Sequence, residues 1–319
     1  MKQLAIIIPA YKPDYIEKTL ISINNQTNKN FKVYIGDDAS PYELKHIVDK
    51  FKNSIDIVYH KFEENLGGTS LTKQWERCVE LSEEKFIWLF SDDDIMSPTA
   101  VDSFYKYQKL KPDSSLFKFF TKMIDENGNE IKLYFDKTNN EKDQILPQQF
   151  LDSRLGYDRF RSYMVEYIFD RKIFVENRFV DFPLAWASDD ATWIKYSLKN
   201  KGIDIIPDFV YWRFSGKNIS SDNSNKHVIE KKLLAIEQYI LWLNTEVDGK
   251  LPINKQILAS WMINQVVSMF SDKDKLDRYL QDKYLTFFTK EEIEKALKKF
   301  YNKERVKKIK DFIRLLIGK

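Results

Sequence analysis

Residues that build covalent cross-links or soft-metal sites are scarce in this sequence. The 319 residues include one cysteine, Cys78, and only three histidines. A single cysteine excludes an internal disulfide, and so few thiol and imidazole groups argue against a zinc-type cage. Any metal that this chain binds should therefore be held by oxygen ligands.

Long apolar runs are missing as well. No stretch approaches the roughly 20 apolar residues of a membrane-spanning helix. The first apolar run, residues 4–8, ends at Pro9 and lacks the length and the small-residue cleavage site of a secretory signal. We therefore expect a cytoplasmic protein.

Neither sign of charge is in excess over the whole chain. The 51 basic and 48 acidic residues give a formal charge of +3, which is too small to indicate a nucleic-acid-binding protein. Residues 303–319 differ, because seven basic and two acidic side chains give them a charge of +5. Their apolar residues recur with helical spacing, which predicts a basic amphipathic helix. Two uses of this helix stay open: peripheral contact with the inner face of the cell membrane, or packing as an ordinary terminal helix.

What the chain has in quantity is apolar and aromatic surface. With 43% hydrophobic and 15% aromatic residues, it can offset the entropy of ordering, so disorder is excluded for most of it. The length allows one large α/β domain with a helical addition. We expect residues 1–222 to form that domain and residues 223–319 to form a helical region.

Apolar strands and amphipathic helices alternate through the first hundred residues. The pattern predicts buried strands at residues 4–8, 31–35, 55–60 and 86–90, and helices at residues 15–25, 42–51 and 71–82. Further along, it predicts a helix at 99–110, a strand at 116–123, a hairpin turn at 126–129 and a helix at 191–199. This alternation is typical of a mostly parallel sheet flanked by helices.

Two of the predicted strands run directly into acidic residues. Asp37 and Asp38 follow the second strand, and Asp92, Asp93 and Asp94 follow the fourth. In open α/β sheets ligands bind beyond the carboxyl ends of the strands, so these clusters point to one site. Adjacent carboxylates repel, and a divalent cation bound together with a diphosphate would relieve the repulsion. The alternative for both clusters is a solvated turn in which an aspartate caps the following helix.

The order of these segments resembles the family 2 glycosyltransferases. The resemblance rests on Pro9-Ala10-Tyr11, Asp37-Asp38-Ala39-Ser40, Asn65-Leu66-Gly67 and the run FIWLFSDDDIMSP at residues 86–98. It covers residues 3–100 well and extends more loosely to about residue 220. It implies the GT-A fold, a Rossmann-like α/β sheet with a nucleotide-sugar half at about 1–100, an acceptor half at about 101–222 and a helical C-terminal extension.

The resemblance implies a set of donor-site residues. Pro9 and Tyr11 would lie against the nucleobase, with the Tyr11 ring stacked on it. Asp37 and Asp38 stand where the family has an aspartate that bonds the uracil edge or the ribose. Asp92 would face the ribose or the diphosphate.

The resemblance also implies a metal site. The D-x-D motif of the family falls on Ser91-Asp92-Asp93, so a serine replaces its first aspartate. Asp93 would be the principal ligand of Mn²⁺ or Mg²⁺, with Asp94 in support. The serine leaves the role of Asp92 open.

The resemblance also implies a pair of acidic residues that would take the proton from the acceptor. Trp186-Ala187-Ser188-Asp189-Asp190 is similar to the family's E-D motif. Asp190 would be the catalytic base that deprotonates the acceptor hydroxyl, with Asp189 beside it. The hydroxyl would attack the face opposite the diphosphate and invert the sugar's configuration. Capping of the helix at 191–199 is the alternative role of this pair.

A later segment, residues 211–220, resembles the family's Y-R-x-H-G-x-x-x-S loop. Ser215 stands in the place of its histidine, so Arg213 or Lys217 would neutralise the leaving group. Lys73 and Arg77 are further phosphate candidates, for which an exposed helix face is the alternative.

The sequence thus predicts an inverting glycosyltransferase. It would transfer a sugar from a nucleotide-diphospho-sugar, with UDP as the nucleotide, to a glycan or lipid-linked hydroxyl acceptor in surface polysaccharide assembly. One alternative is a nucleotidyltransferase of sugar phosphates, although the Gly-rich phosphate loop of such enzymes is absent after the first strand. The other is a non-catalytic GT-A-fold protein at a membrane surface, which the serines at 91 and 215 allow.

Overall fold

The computed structural model describes residues 2–131, 143–156, 162–214 and 225–317, with side chains up to residue 304. The chain divides into two compact units. Unit 1 comprises Met1–Arg154 and Asp158–Asp222, and unit 2 comprises Leu155–Tyr157 and Asn223–Lys319.

A single sheet runs through unit 1, with ten strands among the described residues. The strands are β1 (Leu4–Ala10), β2 (Phe31–Asp37), β3 (Ile57–Lys61), β4 (Phe86–Leu89), β5 (Ile95–Met96), β6 (Leu116–Ile124), β7 (Glu130–Ile131), β8 (Gln144–Ile145), β9 (Tyr167–Asp170) and β10 (Ile203–Arg213). Their main order is β3-β2-β1-β4-β9-β6-β10-β5.

Strand direction divides the sheet into two halves. β3, β2, β1 and β4 are parallel neighbours, and β9 is antiparallel to both β4 and β6. β10 is parallel to β6, whereas β5 and β8 are antiparallel to β10 and β7 is antiparallel to β6. The predicted hairpin at 126–129 is confirmed as the turn between β6 and β7.

Helices flank the sheet of unit 1, as predicted. They are α1 (Ile16–Asn24), α2 (Leu44–Asp49), α3 (Leu71–Val79), α4 (Ala100–Leu110), α5 (Pro147–Leu155), α6 (Arg171–Asn177) and α7 (Ser188–Asn200). α3 contacts β1, β2 and β4, whereas α7 contacts β6. Residues 4–8 of β1 have no exposed surface, as expected of a parallel strand covered on both faces.

Unit 2 is helical over its described residues. Its helices are α8 (Lys226–Trp242), α9 (Lys255–Val266), α10 (Lys273–Tyr284) and α11 (Lys290–Ile317), with a π-helical turn at Leu243–Val247. α9 packs against both α8 and α11. Over the described residues, none of the helices combines the length and apolar character required to span a bilayer.

Candidate functional site

Three segments that follow parallel strands meet at one edge of the sheet. Ala10 is level with Asp37 in the register of β1 and β2, and Asp38 N–H donates to the Ala10 carbonyl at 2.9 Å. The Ser40 hydroxyl donates to the Tyr11 carbonyl at 2.6 Å. Tyr11 N–H donates to Asp92 Oδ2 at 3.2 Å. The ends of β1, β2 and β4 are therefore joined by direct hydrogen bonds.

Asp38 anchors the loop that follows β3. Its carboxylate accepts the N–H groups of Leu66 and Gly67 at 2.8 and 2.9 Å, and Arg77 Nη2 donates to it at 2.6 Å. A Cβ at Gly67 would lie 2.5 Å from Asp38 Oδ2, so this contact requires glycine. Arg77, a phosphate candidate from the sequence, is thus engaged with Asp38 and lies over the Phe62 ring.

Asp37 points into the protein and is fully buried. Its Oδ1 accepts Ser40 N–H at 2.7 Å, and its Oδ2 accepts the Tyr59 hydroxyl. Neither Asp37 nor Asp38 caps α2, because the residue preceding that helix is Glu43 and no side chain caps it. The capping alternative is therefore wrong here.

The remaining residues predicted to face the base lie along the same edge. Pro9 is level with Gly36 of β2. Tyr11 is 37% exposed, so its side chain is partly accessible to a ligand.

The loop after β4 holds two half-buried carboxylates next to each other. Asp93 Oδ1 accepts the Ser91 hydroxyl at 2.5 Å, while Asp92 is bonded to the Tyr11 amide. Burial, reinforced by the charge of Asp93, raises the pKa of Asp92 to about 7. Burial also raises the pKa of Asp93. Both shifts show that negative charge is disfavoured at this position without a counter-charge.

Asp94 is the last residue of this loop, and it is buried. Its carboxylate accepts Arg213 N–H at 2.8 Å, and its carbonyl accepts the Thr19 hydroxyl at 2.8 Å. β5 follows directly and α4 begins only at Ala100, so Asp94 caps no helix.

Arg213 is fully buried at the end of β10. Its Nε donates to the Asp93 carbonyl at 2.8 Å, and its Nη1 donates to the carbonyls of Asp125 and Glu126 at 2.9 and 3.1 Å. The guanidinium carbon lies 4.5 Å from the centre of the Tyr15 ring. Arg213 therefore holds the backbone of the acidic loop from below. Ser215 and Lys217 lie outside the described residues.

The acidic loop after β4 offers few side-chain ligands for a metal ion. Among the described residues no three histidine, cysteine or acidic side chains form a group that could hold a metal. Mg²⁺ is commonly bound by one or two carboxylates, with phosphate oxygens and water completing its shell. Asp92 and Asp93 fit this requirement because a cation would relieve the repulsion between them.

Asp189 and Asp190 lie in the first turn of α7. This helix begins at Ser188, three residues before the predicted start, and its N-cap is Ala187. The capping alternative for the pair is therefore wrong. Both carboxylates instead lie where the helix dipole stabilises negative charge.

Arg154, from the last turn of α5, binds Asp190 through both nitrogens of a fork. Nε lies 2.6 Å from Oδ1 and Nη2 lies 2.9 Å from Oδ2. Asp190 is buried, and its N–H donates to Asp189 Oδ1 at 2.9 Å. Burial, followed by the charge of Asp190, raises the pKa of Asp189 to about 7, while Arg154 opposes the shift. No local sequence pattern distinguishes Arg154 from other charged residues of an amphipathic helix.

The backbone before α7 adopts left-handed conformations without glycine. The φ angles of Leu184, Ala185 and Ala187 are 59°, 53° and 62°. Each such residue costs about 1–2 kcal/mol relative to right-handed geometry, and strained residues cluster at functional sites. Asp181 ties this segment to the start of α3, since it accepts the hydroxyls of Ser70 and Thr72.

Comparison with known proteins finds similar glycosyltransferase sequences. The family model described as glycosyl transferase family 2 matches residues 5–168. An uncharacterized glycosyltransferase of Methanocaldococcus jannaschii is 27% identical over 212 residues, which cover 65% of this chain and 69% of that protein. The poly(ribitol-phosphate) β-N-acetylglucosaminyltransferase TarS of Staphylococcus aureus is 22% identical over 82% of this chain, but the match spans only 44% of TarS.

Solved structures show the same fold. TarS in complex with UDP-GlcNAc superposes with a TM-score of 0.63 at 18% identity, over 88% of this chain and 79% of that one. The mannosyltransferase PcManGT from Pyrobaculum calidifontis, in complex with GDP-Man and Mn²⁺, gives a TM-score of 0.52 at 13% identity, over 93% and 86% of the two chains. The family model spans more than half of the sequence, and the chain belongs to glycosyl transferase family 2.

Proposed function

We propose that this protein is an inverting glycosyltransferase that uses a nucleotide-diphospho-sugar with UDP as the nucleotide. The observation that carries the proposal is the set of hydrogen bonds that joins the ends of β1, β2 and β4 through Tyr11, Ser40 and Asp92. Family membership and the UDP-GlcNAc complex of the TarS neighbour support it.

The donor would lie across these strand ends. The accessible ring of Tyr11 would stack on the base, with Pro9 beneath it. Asp38 and Asp37 have their carboxylates bonded to the protein, so their contribution would be to shape the base and ribose pocket. Asp92 would face the ribose or the diphosphate.

A divalent cation, Mn²⁺ or Mg²⁺, would be held by Asp93 with help from Asp92. When bound, it would neutralise charge on the leaving diphosphate. Asp94 and Arg213 would keep the loop in place from below, through the hydrogen bonds that join them to each other and to Asp93. Lys217 is a further candidate for contact with the leaving group.

The Asp189–Asp190 pair would supply the base. The bond between the anomeric carbon and the diphosphate oxygen breaks while the acceptor oxygen bonds to that carbon from the opposite face. The hydroxyl proton passes to a carboxylate of the pair. Each transfer therefore inverts the configuration at the anomeric carbon.

Titration calorimetry with UDP tests the donor and metal sites. In wild type, Mn²⁺ should strengthen UDP binding, and Asp93→Asn should reduce the gain by about 10- to 100-fold because a ligand oxygen is lost. Asp102→Asn, on the exposed surface of α4, is the matched control and should bind as wild type does. An affinity of wild type for UDP that is the same with and without Mn²⁺ would contradict the metal site.

We also propose a setting for the reaction. TarS is a poly(ribitol-phosphate) β-N-acetylglucosaminyltransferase, and the similarity to it supports a role in surface polysaccharide assembly with a glycan or lipid-linked acceptor. Such assembly uses cytoplasmic nucleotide sugars, so a cytoplasmic protein with its basic C-terminal end at the inner face of the membrane would suit it.

A further inference from the structure

We propose that Asp181 is a positioning residue, which fixes the segment before α7, and with it the Asp189–Asp190 pair, to α3 beside the base and ribose pocket. The inference rests on the proposed function and deepens it. Asp181 would determine where the acidic pair is held and not which of its members takes the proton.

Residues 178–182, here called the connector segment, lie between α3 and α7. Three of these residues contact the α3 side in antiparallel order, through hydrogen bonds or an ion pair: Arg178 with Glu80, Phe179 with Glu76, and Asp181 with Ser70 and Thr72. Ser70 precedes the first residue of α3 and Glu80 follows its last. The connector segment is therefore attached to α3 from one end of the helix to the other.

The other side of the connector segment is attached to α7. Val180 N–H donates to the Thr192 hydroxyl at 3.0 Å, and Phe182 N–H donates to the Ser188 hydroxyl at 2.9 Å. Thr192 and Ser188 are both fully buried. Because Ser188 directly precedes Asp189, these hydrogen bonds tie the position of the connector segment to that of the first turn of α7.

The helix α3 is also attached to the base and ribose pocket. Its Arg77 donates to Asp38 Oδ1 at 2.6 Å, and Asp38 accepts the N–H groups of Leu66 and Gly67 in the loop that leads into α3. α3 thus joins the pocket to the connector segment. None of these pocket contacts involves Asp181, so we expect the pocket to keep its shape when Asp181 is replaced.

The strained backbone after the connector segment depends on such an attachment. Three residues there are left-handed without being glycine: Leu184, Ala185 and Ala187. Such conformations persist only where the surrounding structure fixes them. Asp181 accepts the hydroxyl of Thr72, which is 1% exposed, so water competes little for this hydrogen bond. Without it the strained backbone can relax, and the acidic pair that follows would shift.

Binding of UDP and release of UDP from UDP-GlcNAc, both measured with Mn²⁺, separate positioning from binding. Asp181→Ala should bind UDP as wild type does, because the pocket contacts remain. Its maximal rate of UDP release should fall about 10- to 100-fold, because a misplacement of about 1 Å has an effect of this size. Asp181→Asn keeps one acceptor oxygen and should retain more of the rate. A loss of UDP affinity as large as the loss of rate would overturn the inference.

A double-mutant cycle tests the partner of Asp181. Thr72→Val removes the hydroxyl at nearly constant shape, and it should lower the maximal rate and leave UDP affinity unchanged. Added to Asp181→Ala, it should change the rate little further, because both substitutions remove the same hydrogen bond. Losses that multiply in the double variant would overturn the inference.

An aspartate that caps another helix supplies the control. Asp272 is exposed and accepts two N–H groups at the start of α10. Asp272→Ala should lower thermal stability, because the cap is lost, while UDP affinity and the maximal rate stay at their wild-type values. A fall in rate in Asp272→Ala that matches the fall in Asp181→Ala would show that lost stability explains both, and it would overturn the inference.

Hydrogen–deuterium exchange gives a readout that does not depend on turnover. The N–H groups of Val180 and Phe182 should exchange about tenfold faster in Asp181→Ala, because the connector segment loses a hydrogen bond and opens more often. The N–H groups of Leu66 and Gly67 should keep their wild-type rates. Unchanged exchange at Val180 and Phe182 would overturn the inference.

Failure of the proposed function and failure of the inference give different results. If wild type neither binds UDP nor releases it from UDP-GlcNAc, the proposed function fails and the inference falls with it. If wild type is active and Asp181→Ala keeps the wild-type rate, the inference alone fails. Should Asp181→Ala not fold, Asp181→Asn and Thr72→Val provide the same comparison of rate, affinity and exchange.

Discussion

Arg213 shows how one buried side chain can hold the backbone of a neighbouring loop. The sequence suggested it as a partner of the leaving group, through a motif in which its charge was the visible feature. In the structure its Nε and Nη1 donate to three backbone carbonyls, whereas its Nη2 is buried and has no hydrogen-bond partner among the described residues. The motif predicts where Arg213 lies in the chain. The direction of its side chain depends on the carbonyls of residues 125 and 126, which the motif does not include.

We expect Arg213→Lys to lower the free energy of unfolding by about 2–4 kcal/mol. A lysine ammonium cannot reproduce the fork, so buried carbonyls are left without donors. Urea denaturation measures the change. Arg178→Lys, in an ion pair with Glu80 in which both side chains are about half exposed, is the matched control and should change stability by less than about 0.5 kcal/mol. Equal effects at both positions would show that burial of the guanidinium is not what matters.

The raised pKa of Asp189 predicts how stability depends on pH. The pKa is about 7 in the folded protein, against roughly 3.9 in an unfolded chain. Between these values the folded state holds a proton that the unfolded state lacks, so the free energy of unfolding falls as the pH rises from about 4 to about 7.

Asp189→Asn removes this pH-dependent loss of stability, because asparagine does not titrate. The variant should exceed wild type in stability at pH 8 by about 1–2 kcal/mol, less than the full shift implies because the group is partly exposed. At pH 4 the two proteins should be alike. Thermal unfolding at both pH values measures this, with Asp102→Asn as an exposed control. An advantage of the variant that is the same at pH 4 and pH 8 would exclude the titration of Asp189 as its cause.

At the scale of elements, continuous apolar strands were the most readable feature of the sequence. The predicted strands at 4–8, 31–35, 55–60 and 86–90 correspond to β1–β4, because a strand buried on both faces is marked by composition alone. β9 was not predicted, since its four residues carry no period that separates a strand from a short buried turn. The start of α7 was also misplaced, because the sequence gives no sign that residues 188–190 already belong to the helix.

The segment before α7 provides a test at this scale. Ala187 has a φ of 62°, so Ala187→Gly should stabilise the protein by about 0.5–1 kcal/mol, the relief of left-handed strain less the added entropy of glycine. Ala191→Gly, inside α7 and at a fully buried position, should destabilise it by about 1–2 kcal/mol. Urea denaturation at pH 7 compares the two. Destabilisation by both substitutions would show that the Ala187 conformation is not strained.

At the scale of the whole molecule, the sequence predicted the fold and the family, but it did not reveal how the site is supported. Tyr11, Asp38 and Asp92 could be placed at one edge because parallel strands end together. Arg154 could not, since its partner lies 36 residues away on another helix and only the folded chain brings α5 to the start of α7. Polar contacts between helices that are far apart in the chain produce no periodic pattern in a single sequence.

The basic end of the chain carries the last prediction. Residues 303–317 continue the backbone of α11, which runs without interruption from Lys290 to Ile317. If this end contacts an anionic membrane, each basic residue near the surface contributes about 1 kcal/mol. A variant with Lys307→Gln, Lys308→Gln and Lys310→Gln should then bind vesicles of phosphatidylserine and phosphatidylcholine about 100-fold less than wild type in a sedimentation assay.

The first half of the same helix supplies the control. Lys290→Gln, Lys295→Gln and Lys298→Gln remove three exposed charges, so the net charge of the protein changes equally while the basic end is kept. This variant should bind the vesicles nearly as wild type does, and 0.5 M salt should weaken the binding of both because surface attraction is screened. Equal losses in the two triple variants would point to net charge instead of a basic end, and no binding by wild type would leave terminal packing as the role of these residues.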